Sequence, residues 1–470
     1  MHSDNKIKLF EKQQKIYPKR VWGKYRKIKW LIMFITLGIY YFAPWIRWDR
    51  GLNAPDQAIL LDIPNSRGYF FFIEIWPQEV YYITGLLIIA AVGLFLVTSL
   101  FGRAWCGYIC PQTVWTDLFV WVERIFQGDR QKRMQLDQSS FSFNKFWRKL
   151  ATHLTWIFIG LITGGAWVFY YNDAPTLMSQ ILNFDVPWSV TGWIVALTGS
   201  TYLLAGFGRE QVCNYMCPYA RFQSAMFDEE SLIICYDEFR GEPRSAYKKG
   251  ASWEGRGHCV DCKIWVHVCP AGIDIRNGLQ MECIACGMCI DACNNVMDKL
   301  SLPHGLVRYD TELKHKLREK HIEESVHILR KRTTYYISIL LIATTIMLYG
   351  LASRSPIELH VLHDRNPMFV QLTAHKIRNG YDIKILNKTH EDKSYALSVS
   401  GLDKVEVRVA GAGIMRTDNL KVFADSVGHF RVFLTSYRQK KLRQNFTFYV
   451  EDVKTKIKKQ KDSIFVSGTE

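Results

Sequence analysis

Seven cysteines near the middle of the chain have the spacing of iron–sulfur ligand loops. The second of two runs, MECIACGMCIDAC, contains CxxCxxCxxxC without a gap. The first run, HCVDCKIWVHVCP, begins and ends in the same way, but Trp265 stands where the third cysteine would be. Thiolates with this spacing ligate 4Fe-4S clusters. The residues therefore predict an iron–sulfur protein with one incomplete ligand loop.

The two runs together define one complete and one incomplete ligand set. In two-cluster ferredoxins, the fourth cysteine of each run ligates the other cluster. The four-cysteine set is Cys269, Cys283, Cys286 and Cys289, and the three-cysteine set is Cys259, Cys262 and Cys293. A zinc site would need only four of these seven cysteines. A 4Fe-4S cluster is therefore predicted at the four-cysteine set.

Three outcomes are open for the three-cysteine set: a 4Fe-4S cluster with water or a non-cysteine ligand at one iron, a 3Fe-4S cluster, or no cluster. Trp265 cannot ligate, because its indole nitrogen is only a hydrogen-bond donor. His258 and His267 are the nearest candidate substitutes, although a histidine beside a cluster is more often a hydrogen-bonding or surface residue. Cys235 is expected to be a small buried side chain, as free cysteines usually are.

Four further cysteines form two CxxxCP motifs, in FGRAWCGYICP and FGREQVCNYMCP. The first motif holds Cys106 and Cys110, and the second holds Cys213 and Cys217. The two copies indicate an internal duplication. On a helix, this spacing would place both sulfurs of a pair on one face, with the proline breaking or redirecting the helix. Arg103 and Arg209, in the preceding FGR, would lower thiolate pKa values or contact lipid headgroups.

Such a thiol pair has two chemical uses and one purely structural use. It can bind Cu(I), or it can form a disulfide that carries two electrons. The alternative is that small cysteine side chains allow tight packing at a helix end. Because the motif occurs twice, we favour a role as a copper site or thiol relay.

The elements that must position these cysteines are predicted to be membrane helices. About 20 helical residues cross a bilayer, and five segments are apolar over such a length: 30–46, 80–100, 150–171, 187–206 and 334–352. The first lacks a cleavage site and is predicted to be a retained anchor. The net charge is +16, but Lys and Arg lie beside the apolar segments. A lipid bilayer is therefore the expected partner, and nucleic acid is not.

Loop charges predict the orientation. The N-terminal arm and the loop after the second apolar segment are rich in Lys and Arg, whereas 171–188 contains neither. Positive loops face the cytoplasm, so the N-terminus and the cluster loops are predicted inside and the C-terminus outside. All twelve cysteines lie between Cys106 and Cys293. This segregation does not suit a disulfide scaffold and fits reduced, metal-binding thiols.

The segment after the last apolar stretch is predicted to be a β-sandwich. YDIKILNK, YALSVS, KVEVRV, HFRVFLTS and NFTFYVED alternate apolar and polar residues. Asn379-Gly380 is expected to be a turn. The charged run at 453–462 is expected to be a solvated edge strand or tail.

Membrane-end CxxxCP motifs, the ferredoxin-like insert, a fifth span and a cysteine-free β domain together resemble the FixG/CcoG family of cbb3-type cytochrome oxidase accessory proteins. The resemblance covers nearly the whole chain and includes AWCGYICPQTVWTD, NYMCPYARFQSAMFD and IDIRNGLQMECIACGMCIDACNNVMDKL. It implies an α-helical polytopic membrane protein with a cytoplasmic bacterial-type ferredoxin insert and a C-terminal immunoglobulin-like β-sandwich. Trp265 departs from the family pattern.

The resemblance also divides the chain into expected regions. These are a basic cytoplasmic arm, 1–29; a four-helix membrane region, 30–206; a cytoplasmic region, 207–333, with the ferredoxin-like domain at about 250–300; a fifth transmembrane helix, 334–352; and a periplasmic immunoglobulin-like domain, 353–470.

The implied function is assembly of cbb3-type cytochrome oxidase in the bacterial inner membrane, through reduction of Cu(II) to Cu(I). The implied partners are oxidase subunits or copper chaperones. The sequence has no Rossmann-type or P-loop motif, so the electron donor would be a separate protein or a quinol. Two alternatives stay open: a quinol dehydrogenase-like electron-transfer subunit and a scaffold without redox activity.

Overall fold

The computed structural model describes residues 15–51, 54–247, 252–319, 330–372, 376–410, 417–438 and 441–468. The chain forms two compact units. The first unit comprises Met1–Ile46 and Gln57–Met347, and the second comprises Arg47–Asp56 and Leu348–Glu470. Residues 1–14 of the predicted basic arm lie outside the described residues.

Helices dominate the first unit. They are α1 (Lys24–Phe42), α2 (Tyr81–Phe101), α3 (Ala104–Tyr108), α4 (Pro111–Gln127), α5 (Arg130–Gln138), α6 (Phe143–Val168), α7 (Ala174–Leu182), α8 (Trp188–Leu203), α9 (Arg209–Gln211), α10 (Pro218–Met226), α11 (Glu238–Gly241), α12 (Ile264–Val268), α13 (Met288–Lys299), α14 (Glu312–Glu319) and α15 (Lys331–Ala352). Two π-helical turns, Leu204–Gly208 and Val212–Met216, flank α9.

Five helices in the described residues are long and apolar enough to cross a membrane. They are Lys24–Trp45, Pro77–Phe101, Phe143–Val168, Trp188–Met216 and Lys331–Ala352. The five predicted apolar segments are therefore confirmed as helices. The largest difference is in the fourth, which was predicted to end at residue 206 but continues through the two π-helical turns. That extension carries the first cysteine of the second CxxxCP motif.

Small residues allow two of these helices to approach closely. A side chain at Gly164 of α6 would place its Cβ 2.9 Å from the backbone nitrogen of Thr198 in α8. A side chain at Gly160 would likewise place its Cβ too close to α8, at 3.1 Å from the Thr198 carbonyl oxygen. Backbone contact of this kind is typical of helix pairs in membranes.

Two small antiparallel sheets complete the first unit. One contains β1 (Ile59–Asp62), β2 (Arg67–Phe70) and β3 (Ile73–Ile75), and the other contains β4 (Leu232–Tyr236) and β5 (Val307–Thr311). In the second sheet, Leu232 pairs with Thr311 and Tyr236 pairs with Val307. This pairing joins the two ends of the segment that contains all seven cysteines of the ligand loops.

The second unit contains the predicted β-sandwich. Its strands are β6 (Ile357–His363), β7 (Val370–Gln371), β8 (Lys376–Asn387), β9 (Lys393–Ser400), β10 (Glu406–Ala410), β11 (Leu420–Val422), β12 (Ser426–Tyr437), β13 (Arg443–Asp452) and β14 (Lys458–Val466). One sheet has the order β10-β12-β8-β6, with β7 also paired to β8, and the other has the order β11-β9-β13-β14. Tyr381, Tyr395 and Phe448 belong to the buried core of this unit.

Two local predictions for this unit have different outcomes. The charged run forms part of β14, an edge strand, as expected. The prediction of a turn at Asn379-Gly380 is wrong, because both residues lie inside β8. The buried Asn379 side chain donates to the carbonyl of Val466 at 2.9 Å and accepts from its N–H at 3.0 Å. A polar residue can therefore stay in the middle of this strand, because its hydrogen bonds are satisfied.

Candidate metal centre

The structure brings the four cysteines of the complete set together. The thiol of Cys289 lies close enough to those of Cys269, Cys283 and Cys286 to interact with them electrostatically. Cys283 and Cys286 lie in the loop that enters α13, Cys289 lies in the first turn of α13, and Cys269 follows α12. Ala285 and Gly287 have left-handed φ angles of 50° and 72°, and these two residues make the loop turn back on itself. Spacing in the sequence and backbone geometry therefore place the same four sulfurs in one group.

Burial makes these thiols hard to ionise without a metal. It raises the pKa of Cys269 to about 12 and that of Cys283 to about 11. The backbone N–H groups of Ala271 and Ile273 act in the opposite direction on Cys269. Such N–H groups around a thiolate stabilise its charge once a metal has displaced the proton.

The spacing of the sulfurs fits a cluster better than a single ion. Among the described residues, no three cysteine sulfurs lie within 4.8 Å of one another. Four thiolates around one zinc ion would lie about 3.8 Å apart, given a Zn–S bond of about 2.3 Å. A cluster that takes one thiolate at each of four irons spreads them more widely. The residues of the four-cysteine set therefore fit a 4Fe-4S cluster.

The three cysteines of the incomplete set also lie together. The thiol of Cys293 interacts electrostatically with those of Cys262 and Cys259. Trp265 is 2% exposed and packs in the same buried cluster as Cys259 and Cys293. Its indole therefore occupies the interior of the loop from which a thiolate is missing.

An aromatic and a cationic side chain contact the indole of Trp265. The Tyr236 ring lies 6.0 Å from it, and the Arg276 guanidinium lies 5.1 Å from its centroid. Arg276 is itself held by Asp274 and Asp261, each at 2.6 Å. Cation–π contacts of this type stabilise a buried aromatic ring.

The candidate replacements for the missing thiolate have other partners. His258 accepts a hydrogen bond from Arg240 at 2.9 Å. Burial lowers the pKa of His267, and the nearby cationic side chains of Arg130 and Lys19 lower it further. Cys235 lies in β4, where its nearest thiol neighbour is in the four-cysteine set. The structure therefore gives neither candidate histidine a place in the three-cysteine set, and Cys235 lies nearer the other set.

The four cysteines of the two CxxxCP motifs form a single group, which we term the four-thiol group. The thiol of Cys106 interacts electrostatically with those of Cys110, Cys213 and Cys217. Sequence reasoning predicted two pairs, and it did not predict that the pairs would meet. Burial raises the pKa of Cys106 to about 12, although Arg103 acts to lower it.

The prediction that each pair lies on one helix face is wrong. Cys106 lies in α3, which ends at Tyr108, and Cys110 has extended backbone geometry at the start of α4. Cys213 lies in a π-helical turn, and Cys217 starts α10 in the same extended way. Proline disfavours helical geometry in the residue before it, so the second cysteine of each motif caps a new helix.

The four-thiol group lies directly against the loop of the four-cysteine set. A Cβ at Gly107 would lie 2.6 Å from the carbonyl oxygen of Ile284 and 3.1 Å from the Cα of Cys286. The hydroxyl of Tyr108 donates to the carbonyl of Cys286 at 3.1 Å. Glycine at this position therefore permits contact between the first motif and the cluster loop.

Arg103 acts to lower the pKa of Cys106, as one of the two predicted roles requires, and both motif arginines also connect the two repeats. Arg103, which is 5% exposed, donates to the carbonyl of Ala220 at 2.7 Å and to that of Cys283 at 3.5 Å. Arg209 pairs with Glu123 of α4 at 2.7 Å. Each arginine therefore connects its own repeat to the other one.

A small cavity of about 60 Å³ opens beside the four-thiol group. Its lining includes Cys213 and Asn214 of the second motif, Gln112 of α4, and Pro270 of the four-cysteine set's loop. Glu210 and Glu282 also contribute carboxylates. The cavity therefore lies between the second motif and the loop of the four-cysteine set.

Ferredoxin-type ligand loops, a second group of thiols at the ends of apolar helices, and a separate β-sandwich define a multi-domain iron–sulfur protein. Comparison with known families agrees. Residues 208–312 match the family described as "4Fe-4S dicluster domain", and 83–131 with 186–229 match "4Fe-4S binding domain". Residues 347–468 match "IG-like fold at C-terminal of FixG".

Three curated proteins are similar over most of this chain. Nitrogen fixation protein FixG of Rhizobium meliloti is 46% identical over 94% of this chain and 91% of its own length. Protein RdxB of Cereibacter sphaeroides is 47% identical over 83% of each chain. Protein RdxA of the same organism is 42% identical over 91% of this chain and 90% of its own length. The chain belongs to the FixG family.

Proposed function

We propose that this protein is a membrane-bound electron-transfer protein that reduces Cu(II) to Cu(I) for the maturation of a cbb3-type cytochrome oxidase. The observation that carries the proposal is the contact between Gly107, beside Cys106, and the loop 284–286. It places the residue next to Cys106 in direct contact with the loop that carries Cys286.

The chemistry of copper suits this arrangement. When bound at the four-cysteine set, a 4Fe-4S cluster supplies one electron at a time. The substrate Cu(II) takes up one electron and becomes Cu(I), whose softness suits thiolate ligands. Cys110 and Cys217 are the residues that directly precede α4 and α10, and a helix N-terminus favours negative charge. These two residues would therefore hold thiolates for the reduced ion.

The proposed location follows from loop charge and helix length. The five apolar helices would cross the inner membrane, with the N-terminus and the ligand loops in the cytoplasm. The immunoglobulin-like domain would lie in the periplasm, where it could contact oxidase subunits or copper chaperones. The electron donor would be a separate protein or a quinol.

The experiment compares the anaerobically purified protein with three variants. Iron, sulfide and low-temperature EPR report the cluster, and a Cu(I)-specific chelator reports copper reduction. Cys286→Ala should lose both the cluster signal and copper reduction. Cys106→Ala should keep the cluster but lose copper reduction. Cys235→Ala is the matched control, because Cys235 belongs to neither group, and it should behave like the original protein.

A scaffold without redox activity is the outcome that would overturn the proposal. It would be indicated if the triple change of Cys283, Cys286 and Cys289 to Ala still allowed full oxidase maturation in cells. Retention of copper reduction in Cys106→Ala would instead remove the four-thiol group from the reaction.

A quinol dehydrogenase-like role is the second candidate, and a second cavity favours it. This cavity, of about 320 Å³, is lined by Glu123, His153, Trp156 and Phe207 among others. The His153 ring is hydrogen-bonded to Tyr202 at 3.0 Å. Carboxylate, imidazole and aromatic groups in one cavity could hold a quinol ring. Quinone reduction by the isolated protein without copper binding would support this role.

A further inference from the structure

Gln223 is a fully buried amide beside the four-thiol group. It lies in α10, six residues after Cys217, and is 0% exposed. The thiol of Cys106 donates to its carbonyl oxygen, Oε1, at 3.4 Å. The second repeat therefore supplies a polar side chain to the first cysteine of the first repeat.

The nitrogen of the Gln223 amide, unlike its oxygen, has no hydrogen-bond partner among the described residues. This nitrogen, Nε2, is nonetheless buried. Tyr219, one turn earlier, interacts electrostatically with the Gln223 amide, but the two do not meet hydrogen-bond geometry, and the Tyr219 hydroxyl is hydrogen-bonded to Thr98 at 2.5 Å. A buried N–H group without an acceptor costs about 1–3 kcal/mol. This free-energy cost has an explanation if an acceptor for the N–H group is present only in another chemical state of the site.

A metal-bound thiolate would be that acceptor. A thiol donates its proton to the amide oxygen, whereas a thiolate on a metal can only accept. A half-turn of the terminal amide of Gln223 would exchange Oε1 for Nε2 and direct an N–H group at the sulfur of Cys106. Hydrogen bonds of this type to metal thiolates hold the ligand in place and tune the metal.

The duplication shows that this amide is specific to one copy of the motif. Counting six residues from Cys110, as Gln223 follows Cys217, leads to Thr116. The Thr116 hydroxyl lies 3.4 Å from the Gln112 side-chain nitrogen, which also donates to the carbonyl of Leu204 at 2.8 Å. In the first copy, the Thr116 hydroxyl and the Gln112 side-chain nitrogen therefore have hydrogen-bond partners. In the second copy, Gln223 Nε2 has none among the described residues.

We propose that Gln223 is a positioning residue of the four-thiol group and donates an Nε2–H hydrogen bond to the Cys106 thiolate when that group holds Cu(I). The inference rests on the proposed copper role of the four-thiol group. It adds a residue that contacts a ligand and not the ion itself.

The test measures the affinity of the full-length protein for Cu(I), by anaerobic competition with the chelator bicinchoninate. Gln223→Met keeps the length of the side chain but has no donor. Gln223→Glu keeps the shape and places a carboxylate beside the thiolate. Removal of a partner of a metal ligand typically lowers affinity about 10- to 100-fold. We expect a loss in this range for Met and a larger loss for Glu.

If Gln223 only fills space, the variant Gln223→Met should instead bind Cu(I) as tightly as the original protein does. The ultraviolet sulfur-to-copper absorption band adds a readout that is independent of catalysis, and it should shift in Gln223→Met. In a Cys106→Ala background, the change at Gln223 should have no further effect on affinity.

The possible failures are distinguishable. If the original protein binds Cu(I) and Gln223→Met binds it equally well with an unchanged band, the role of Gln223 is overturned and the proposed function stands. If the original protein binds no Cu(I) at the four thiols, the proposed function fails and the inference falls with it. Iron content that is unchanged in both variants would show that the fold and the four-cysteine set are intact.

Discussion

The ligand loops at 259–269 and 283–293 have the same internal spacing, and the structure gives them the same backbone signature. Asp261 and Lys263 in the first loop have φ angles of 49° and 51°. Ala285 and Gly287, at the equivalent positions of the second loop, have φ angles of 50° and 72°. The first loop thus keeps the geometry of a cluster loop although it has lost one thiolate.

The two loops differ in what occupies their interiors. The thiols of Cys283, Cys286 and Cys289 in the second loop lie together with that of Cys269. In the first loop, Trp265 fills the interior, and Arg276 joins its indole to Asp261 on the left-handed turn. Left-handed geometry costs a non-glycine residue about 1–2 kcal/mol. An indole and an ion pair therefore provide contacts that can hold this loop in shape without a metal.

The largest expected difference between the loops concerns iron and copper reduction. Cys286→Ala should remove about four irons per chain and abolish Cu(II) reduction, because its loop touches the four-thiol group. Cys262→Ala, in the equivalent position of the first loop, should leave copper reduction largely intact. Iron analysis and the chelator assay measure both effects. Equal loss of reduction in the two variants would place both loops on the electron path.

A cysteine at position 265 should make the two loops more alike in the iron that they bind. Trp265→Cys should raise the iron content toward about eight per chain, the number for two 4Fe-4S clusters. The measurement is anaerobic iron and sulfide analysis with EPR. About eight irons in the original protein would contradict the expectation and would require an unusual ligand at the three-cysteine set.

The indole itself should matter most for stability. Trp265→Ala removes a side chain that is 2% exposed, and such large-to-small changes cost about 3–5 kcal/mol. Thermal unfolding of the first unit should shift down accordingly. Trp253→Ala is the control, because Trp253 is only partly buried and stacks on Tyr247 at 4.9 Å. Similar shifts in both variants would argue against Trp265 as the core of its loop.

Sequence reasoning succeeded where a pattern is local. Ligand spacing grouped the seven cysteines as the structure places them, because the crossover in a two-cluster ferredoxin needs no knowledge of the rest of the fold. Apolar length predicted the five helices, and alternation predicted the β-sandwich.

Sequence reasoning failed where the structure depends on contacts between segments that are far apart in the sequence. The meeting of the two CxxxCP motifs depends on contacts such as that of Arg103 with Ala220, which no spacing reveals. Gln223 was missed for the same reason, since one glutamine in a helix carries no chemical signal. The duplication could have drawn attention to it, because its counterpart, Thr116, is a different residue type.

The smallest expected effect concerns the ion pair that supports Trp265. Hydrogen bonds from Arg276 hold the pKa of Asp274 below its ordinary value. Because this carboxyl is easier to ionise in the folded protein, it adds stability above its unfolded pKa of about 3.9. That stability is lost as the pH falls through the lower folded pKa. Asp274→Asn should therefore lower stability by about 1 kcal/mol at pH 7 and by less near pH 3. Asp298→Asn, at an exposed pair with His304, is the control for unfolding scans across this range. A deficit in Asp274→Asn that stayed constant with pH would mean that the carboxylate charge does not support the loop, and the indole would then have to hold it alone.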